Sequence, residues 1–337
     1  IAERLAAVVK QHDPSRPVTA ALAGVVMSNQ TTYPAALDIV GYNYTENRYT
    51  IDHETYPERV IYGSENRHFF ADWKAVTDRD HIFGQFLWTG IDYLGEAGRW
   101  PSRGSSAGLL DLTGAVKPRG RFREALWSSR PVIHLGTQPA RADRRWVMEA
   151  RPSWNYDAEA RVRVVGYTNT ATAQLLLNGE PVGDAQPIDS ETGVMIWEIP
   201  FEAGTLEAVG FDDSGRETAR TSLRTAEAPA AMTLTVDDTA LARDRGVAMI
   251  VVQVVDRYGV SVPDAAHEVM CEVVGSGRLL GLEAGNLRDV SDYSDATHQV
   301  HHGRIVAYVQ ATGAEGPVRV RFAAADLPDA EVTLVAQ

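Results

Sequence analysis

The sequence predicts an α/β region followed by an all-β region. Residues 1–128 alternate apolar, strand-like runs with helix-like segments, which indicates βαβ units and a parallel sheet. From about residue 130 onward, short runs rich in Val, Ile, Leu, Thr and Tyr are separated by turn signals, and almost no window has helical periodicity. Such runs are typical of antiparallel β-sandwiches. The 337 residues are enough for two or three domains.

The first region begins with an amphipathic helix that starts at Ile1 and stops at His12-Asp13-Pro14, because proline disfavours α geometry in the residue before it. Strands are predicted at residues 17–22, 38–44, 60–64 and 82–89, and helices at 69–77 and 121–128. The strand at 82–89 reads as a nearly continuous apolar run, so we expect it to be buried on both faces.

Four such strands make half of an eight-stranded (β/α) barrel, or TIM barrel, which takes about 250 residues in full. Because a helix with no strand before it opens the region, we interpret residues 1–128 as the C-terminal half of a barrel, cut between strand four and its helix. Half a barrel leaves parallel strand edges unpaired, so we expect that it does not fold alone.

The second region is predicted to form two antiparallel β-sandwiches of about 100 residues each, at residues 136–227 and 228–337. Residues 162–165 and 249–255 read as strands, and Asn178-Gly179 is a turn signal. The segment 225–231, rich in alanine with one proline, is the expected linker between the sandwiches.

Charge and composition exclude several classes of protein. A net charge of −13 argues against binding to nucleic acid or to an anionic membrane surface, and no apolar run approaches the ~20 residues that span a bilayer. Cys271 is the single cysteine and cannot form an internal disulfide, so the compartment stays open between cytoplasmic and secreted. We expect any targeting signal upstream of residue 1.

Candidate site residues stand at the predicted carboxyl ends of the barrel strands, where barrel enzymes place their active sites. These residues are Tyr44, Glu65 and Trp88, and Asp92 and Glu96 follow the last strand. A carboxylate can attack or stabilise an oxocarbenium-like centre, and an indole can stack on the apolar face of a sugar.

Each of these residues also has a structural interpretation. A strand-end glutamate such as Glu65 is commonly solvated or ion-paired, Trp88 could belong to the core, and Tyr44 alone could be structural. The small Gly63 and Ser64 before Glu65 favour the functional interpretation, because they would leave room for a ligand.

Four motifs follow one another in the first region: DIVGYNY at 38–44, Gly63-Ser64-Glu65-Asn66, GQFLWTGIDYLGE at 84–96, and DLTG at 111–114 followed by Lys117-Pro118. In this order and spacing they resemble glycoside hydrolase family 2, the β-galactosidase/β-glucuronidase family. The later domains resemble accessory Ig-like domains of bacterial members, with NGEPVG at 178–183 as the best match, and residues 250–274 resemble a bacterial Ig-like repeat.

The resemblance implies a retaining exo-β-glycosidase. Glu65 matches the nucleophile that forms a covalent glycosyl-enzyme intermediate, and Tyr44 matches the tyrosine that orients it. Trp88 and His68 match sugar-contacting residues. The substrate-binding set predicted on this basis consists of Trp88, His68, Asn66, Asp92 and Glu96.

The acid/base glutamate of the family follows an asparagine at the end of strand four, so we expect it upstream of Ile1, in an N-terminal part of the same enzyme. Glu46-Asn47 has the reverse order and follows strand six, which makes it a poor substitute. Asp92 or Glu96 could be the second carboxylate if it came within about 5–5.5 Å of Glu65.

A terminal β-galactoside is the first choice of substrate. Family β-glucuronidases carry an Asn-x-Lys pair where this sequence has Ser105 and Ala107. Arg99 and Arg103 lie nearby and keep β-glucuronidase specificity open. The alternative of another class is a non-catalytic carbohydrate-binding or structural module array with a barrel remnant.

No cofactor is predicted, because the sequence has no phosphate-binding loop, no Ser-His-Asp order and no CxxC. His298, His301 and His302 lack ligand-spaced partners and favour a solvated hairpin over a metal site. The sequon Asn43-Tyr44-Thr45 lies at the proposed site and is treated as chance. A homo-oligomer is left open.

Overall fold

The computed structural model describes residues 1–140 and 144–337. The chain divides into two units, which are described separately: unit 1 comprises residues 1–90 with 189–193, and unit 2 comprises residues 91–188 with 194–337. Strands make up most of the regular structure, so the predicted β-rich second half is confirmed. The domain boundaries at 128 and 227 stay a prediction.

Unit 1 is an α/β layer whose four strands are all parallel and lie in the order β1-β2-β3-β4. Short 3-10 helices at Pro34–Ala36 and Glu46–Arg48 precede β2 and α3. The helices and strands are α1 (Ala2–His12), β1 (Thr19–Leu22), α2 (Val25–Ser28), β2 (Ile39–Asn43), α3 (Tyr49–Thr55), β3 (Ile61–Asn66), α4 (Phe70–Thr77) and β4 (Ile82–Leu87).

The core of unit 1 lies where the sheet packs against its helices. Leu22, Tyr42, Tyr49 and Ile61 are almost fully buried there. Helix α1 ends as predicted, because Asp13 before the proline lies outside the α region, at φ −141° and ψ 87°. Leu22, Tyr42 and Ile61 come from the runs that predicted strands, whereas Tyr49 belongs to α3, which the sequence did not predict.

In unit 1 one apolar surface is exposed, and one expectation, the burial of β4 on both faces, is wrong. The apolar stripe of α1 is exposed, with Leu5 60% accessible, and α1 has no buried residue. Strand β4 is not buried on both faces, because Phe83 and Phe86 are 62% and 66% accessible. β4 is the last strand of the sheet, and both phenyl rings contact Tyr62, with ring centroids 5.4 and 5.8 Å away.

The first half of unit 2 has a small hairpin, a helix and two antiparallel sheets. The sheets have the orders β12-β8-β7 and β10-β9-β13-β14, and they share one core around Trp154, Val164 and Leu175. A 3-10 helix runs from Arg144 to Glu149. The elements are β5 (Tyr93–Leu94), β6 (Gly104–Ser105), α5 (Pro118–Trp127), β7 (Ile133–Pro139), β8 (Arg161–Thr168), β9 (Thr172–Leu177), β10 (Glu180–Pro181), β11 (Gln186–Pro187), β12 (Met195–Pro200), β13 (Thr205–Phe211) and β14 (Glu217–Arg224).

The second half of unit 2 pairs two further sheets, in the orders β15-β17-β21-β19 and β16-β23-β22-β18-β20. Alternate residues of facing strands, such as Ile250, Ile305 and Phe322, fill the space between them, together with Cys271. Burial raises the pKa of the Cys271 thiol to about 12. The strands are β15 (Ala231–Val236), β16 (Ala240–Leu241), β17 (Val247–Val255), β18 (Glu268–Gly275), β19 (Gly277–Glu283), β20 (Thr297–Gln299), β21 (Arg304–Ala311), β22 (Gly316–Ala324) and β23 (Leu327–Ala336).

Candidate active site

Glu65 lies at the carboxyl end of β3, one residue before the strand ends, and its side chain is half-buried. β3 carries a bulge at this point. Tyr42 of β2 pairs with Gly63, and Asn43 pairs with Glu65. Ser64 is therefore an extra residue whose backbone is not paired with a residue of β2. Bulges of this kind re-aim side chains and are common beside active sites.

The Glu65 carboxylate has an amide donor next to it. Asn43 Nδ2 donates to Glu65 Oε2 at 3.4 Å, and Ser64 Oγ donates to Asn43 Oδ1 at 2.5 Å. The backbone N–H of Tyr44 donates to the Glu65 carbonyl at 2.9 Å, which ties the ends of β2 and β3 together. Sequence reasoning missed this role of Asn43, because it treated the residue as part of a chance sequon.

Tyr44 follows β2 in the left-handed region, at φ 49°, which is uncommon for a residue with a side chain. The guanidinium of Arg67 lies over its ring, 4.5 Å from the centroid. The backbone bonds therefore bring Tyr44 and Glu65 together at the ends of adjacent strands. The predicted orienting role of the Tyr44 hydroxyl remains a prediction.

Two expectations for the β3 segment are wrong. The space beside Gly63 is not free for a ligand: a Cβ there would lie 2.0 Å from Asn66 Oδ1 and 2.7 Å from the Tyr49 hydroxyl. Asn66 itself is fully buried, and its amide exchanges hydrogen bonds of 3.2–3.3 Å with the Tyr49 hydroxyl. Asn66 thus fixes β3 to α3 and does not face a substrate.

Trp88 and His68 lie close to the same strand end. Trp88 is 39% exposed, and its backbone N–H donates to the Asn66 carbonyl at 3.1 Å, which brings the end of β4 to the end of β3. His68 is half-buried in the connection between β3 and α4. Unit 1 thus brings Glu65, Tyr44 and Trp88 together at the carboxyl ends of β2, β3 and β4.

Glu46 lies in the 3-10 helix that follows β2 and is partly buried. Burial raises the pKa of its carboxyl group, and the charge of Asp72 adds to the effect. Its Oε1 atom is buried without a hydrogen-bond partner. The charge of Arg67 and a backbone hydrogen bond offset only part of this effect, so Glu46 is a carboxyl group with a raised pKa near the ends of the strands. The sequence analysis passed over it because it sought an Asn-Glu order.

Asp92, in unit 2, is not available to a substrate, which corrects the prediction from sequence. Its side chain is 4% exposed, and both oxygens receive hydrogen bonds from Lys117 Nζ, at 2.8 and 3.0 Å. Oδ1 also accepts the backbone N–H of Gly108 at 2.8 Å, and Lys117 Nζ donates to the Ser106 carbonyl at 2.8 Å. Asp92 and Lys117 hold the two ends of the segment 92–117 together.

Glu96 is exposed in the turn between β5 and β6 and accepts a hydrogen bond from the Tyr93 hydroxyl. Arg99 is exposed in the same turn. Arg103, by contrast, is bonded to the loop that follows β19: its guanidinium donates to the Tyr293 hydroxyl and, at 3.2 Å, to a backbone carbonyl. Arg99 and Arg103 were both considered as residues that could bind a sugar carboxylate, and of the two Arg99 is exposed to solvent.

The histidines of unit 2 take part in protein contacts. His298 is buried, with Nε2 3.2 Å from Asp289 Oδ2, and His302 Nδ1 lies 3.2 Å from the Arg151 guanidinium. Across residues 1–140 and 144–337, no group of three or more His, Cys, Asp or Glu side chains is arranged to hold a metal ion. In the same described ranges, no helix is long and apolar enough to cross a membrane.

A half-buried carboxylate and a partly exposed indole at the carboxyl ends of parallel strands are the groups that glycoside hydrolases use. Comparison with known proteins leads to the same class. The model for glycoside hydrolase family 2 C-terminal domain 5 matches residues 232–333, and one for a domain of unknown function matches residues 159–219.

The following relatives match between 69% and 100% of this chain. A β-galactosidase of Bacteroides ovatus is 26% identical over 387 residues, covering 100% of this chain and 44% of the relative. A β-glucuronidase of Formosa agariphila is 25% identical over 237 residues, covering 69% of this chain and 22% of the relative. A crystal structure of a glycosyl hydrolase family 2 member from Bacteroides cellulosilyticus has a TM-score of 0.93 at 28% identity, covering 100% of this chain and 47% of that one.

These matches together cover the whole chain, which is similar to the C-terminal portion of glycoside hydrolase family 2 enzymes. It spans less than half the length of each of these relatives: 44% of the galactosidase, 22% of the β-glucuronidase and 47% of the solved structure.

Proposed function

We propose that this chain is the C-terminal part of a retaining exo-β-glycosidase whose substrates are terminal β-galactosides. Glu65 is the nucleophile, Tyr44 orients it, and Trp88 and His68 contact the sugar. The observation that carries the proposal is the position of Glu65, half-buried at the end of β3 with an amide donor 3.4 Å from its carboxylate. The similarity to family 2 enzymes supports it.

In the proposed reaction, a Glu65 oxygen attacks the anomeric carbon, and the bond from that carbon to the aglycone oxygen breaks. A second carboxyl group gives its proton to the leaving oxygen, then removes a proton from the water that hydrolyses the ester bond to Glu65. We assign this acid/base group to the part of the enzyme N-terminal to this chain, because the chain spans less than half of its galactosidase relative.

We also propose the architecture that was predicted from the sequence. Residues 1–128 are the C-terminal half of a TIM barrel, and residues 136–227 and 228–337 are two Ig-like β-sandwiches. The four parallel strands of unit 1 and the two pairs of antiparallel sheets in unit 2 support this assignment. The N-terminal half of the barrel is then the partner that completes the active site.

The test uses the full-length enzyme with aryl β-galactoside and aryl β-glucuronide, and NMR to follow the anomer released first. We expect hydrolysis of the galactoside with release of the β anomer. Glu65→Gln should lower kcat by at least about 10⁴-fold, whereas Glu58→Gln, at an exposed site of the same unit, should leave kcat unchanged. Release of the α anomer would contradict a covalent glycosyl intermediate.

Two other outcomes have a clear meaning. A preference for the glucuronide would identify β-glucuronidase specificity, which the Formosa agariphila relative and the exposed Arg99 favour. Sugar binding without hydrolysis of either substrate would identify the non-catalytic module array.

A further inference from the structure

Ser64 is held in an unusual position by the backbone around it. It is the extra residue of the β3 bulge, between Gly63 and Glu65, which pair with consecutive residues of β2. Gly41 of β2 makes room for it: a Cβ on Gly41 would lie 2.6 Å from Ser64 Cβ and 2.9 Å from Ser64 Oγ. Because Gly41 has no side chain, the Ser64 hydroxyl has room to lie against β2.

The hydroxyl group of Ser64 reaches the carbonyl end of the Asn43 amide, 2.5 Å away. An amide has an acceptor end and a donor end, so an O–H donor bound at Oδ1 turns the NH2 group in the opposite direction. In this structure that direction is Glu65 Oε2, at 3.4 Å. Hydrogen bonds between catalytic groups are commonly long before substrate binds and shorten in the reacting complex.

We propose that Ser64 and Asn43 are positioning residues for the nucleophile, a proposal that rests on the assignment of Glu65 above. Ser64 fixes the orientation of the Asn43 amide, and the amide holds Glu65 Oε2, so that Oε1 is the oxygen directed to the anomeric carbon. In this proposal, the bulge in β3 allows the Ser64 and Glu65 side chains to hydrogen-bond to the same Asn43 amide.

The test measures the rate at which a 2-deoxy-2-fluoro-β-galactoside inactivates the full-length enzyme, which reports the attack of the nucleophile. Ser64→Ala should slow inactivation by about 10-fold, the effect of one lost hydrogen bond. Asn43→Asp replaces the donor by a second carboxylate beside Glu65. It should slow inactivation by about 100-fold and move the acidic limb of the kcat/KM profile to higher pH by about one unit.

Asn47→Asp is the matched control, because it adds the same charge at an exposed position of the 3-10 helix that follows β2, and it should reproduce the wild-type rate and pH profile. The double variant Ser64→Ala/Asn43→Asp should be no slower than Asn43→Asp alone, since Ser64 acts only through the amide.

A wild-type inactivation rate in Ser64→Ala, together with an unmoved acidic limb in Asn43→Asp, would overturn the proposal. If Asn43→Asp is not recovered folded, Asn43→Ser takes its place, and an unchanged inactivation rate there would equally overturn it. Absence of label on Glu65 in the wild-type enzyme is a different result, because it removes the nucleophile assignment itself.

Discussion

The Asp92–Lys117 pair yields the sharpest prediction about stability. Asp92→Ala leaves the Lys117 ammonium without its carboxylate and the Gly108 N–H without its acceptor. Removing one partner of a buried ion pair costs about 3–5 kcal/mol, and we take about 3 because water reaches the Lys117 side chain, which is 18% exposed. For a domain of roughly 150–250 residues this lowers Tm by about 6–12 °C.

The assay is thermal unfolding of the full-length enzyme, with kcat and KM measured well below Tm. Asp92→Ala should lower Tm and leave both kinetic constants within about 2-fold. The double variant Asp92→Ala/Lys117→Met should lose less than the sum of the single variants, by about 1–3 kcal/mol, because the two residues share one interaction. Glu331→Ala, which breaks an exposed pair with Arg319, is the control and should cost under about 1 kcal/mol.

An unchanged Tm for Asp92→Ala, combined with a loss of catalytic efficiency by about 100-fold or more, would refute this reasoning. Asp92 would then act on substrate, as its place after the last strand suggests from sequence alone.

Three further predictions concern Trp88, Glu46 and His302. Trp88→Ala should lower kcat/KM by about 100-fold with little change in Tm, because the indole is partly exposed; a large loss of Tm with normal kinetics would place it in the core instead. Glu46→Gln should raise Tm by about 2–4 °C at pH 8 and not at pH 4, because burial raises the pKa of Glu46 and charging it destabilises the fold as pH rises; equal effects at both pH values would contradict this. Burial, with the charges of His301 and Arg151, lowers the pKa of His302 to about 4. Between about pH 6.5 and 4 the unfolded chain therefore binds a proton that the folded chain does not, and stability falls as pH drops through this range. His302→Asn, which suits the φ of 54°, should reduce the loss of Tm between pH 7 and pH 5 by about 2 °C, since partial exposure weakens the effect; an unchanged loss would exclude His302 as its source.

The strands of unit 1 were predictable because each is a short apolar run bounded by turn residues, and β2 to β4 begin within one residue of the predicted positions. The position of Glu65 at a strand end was predictable for the same reason. The exposure of Phe83 was not, because an apolar run does not reveal whether a strand lies at the edge of a sheet.

The contacts of individual side chains depended on features that are not periodic. The bulge at Ser64 shifts which side chains of β3 meet β2, so the burial of Asn66 and the approach of Asn43 to Glu65 could not follow from simple alternation. Asp92 contacts Lys117 only because the chain between them folds back on itself, and no sequence pattern predicts that conformation.

The most direct test of the account is the site of covalent labelling. Full-length enzyme inactivated with a 2-deoxy-2-fluoro-β-galactoside is digested with trypsin and analysed by mass spectrometry. Cleavage after Arg59 and Arg67 releases residues 60–67, VIYGSENR, in which Glu65 is the sole carboxylate side chain. We predict that this peptide carries one fluorosugar and that fragmentation assigns the added mass to Glu65. Label on any other peptide, with residues 60–67 unmodified, would contradict the assignment of Glu65 as the nucleophile.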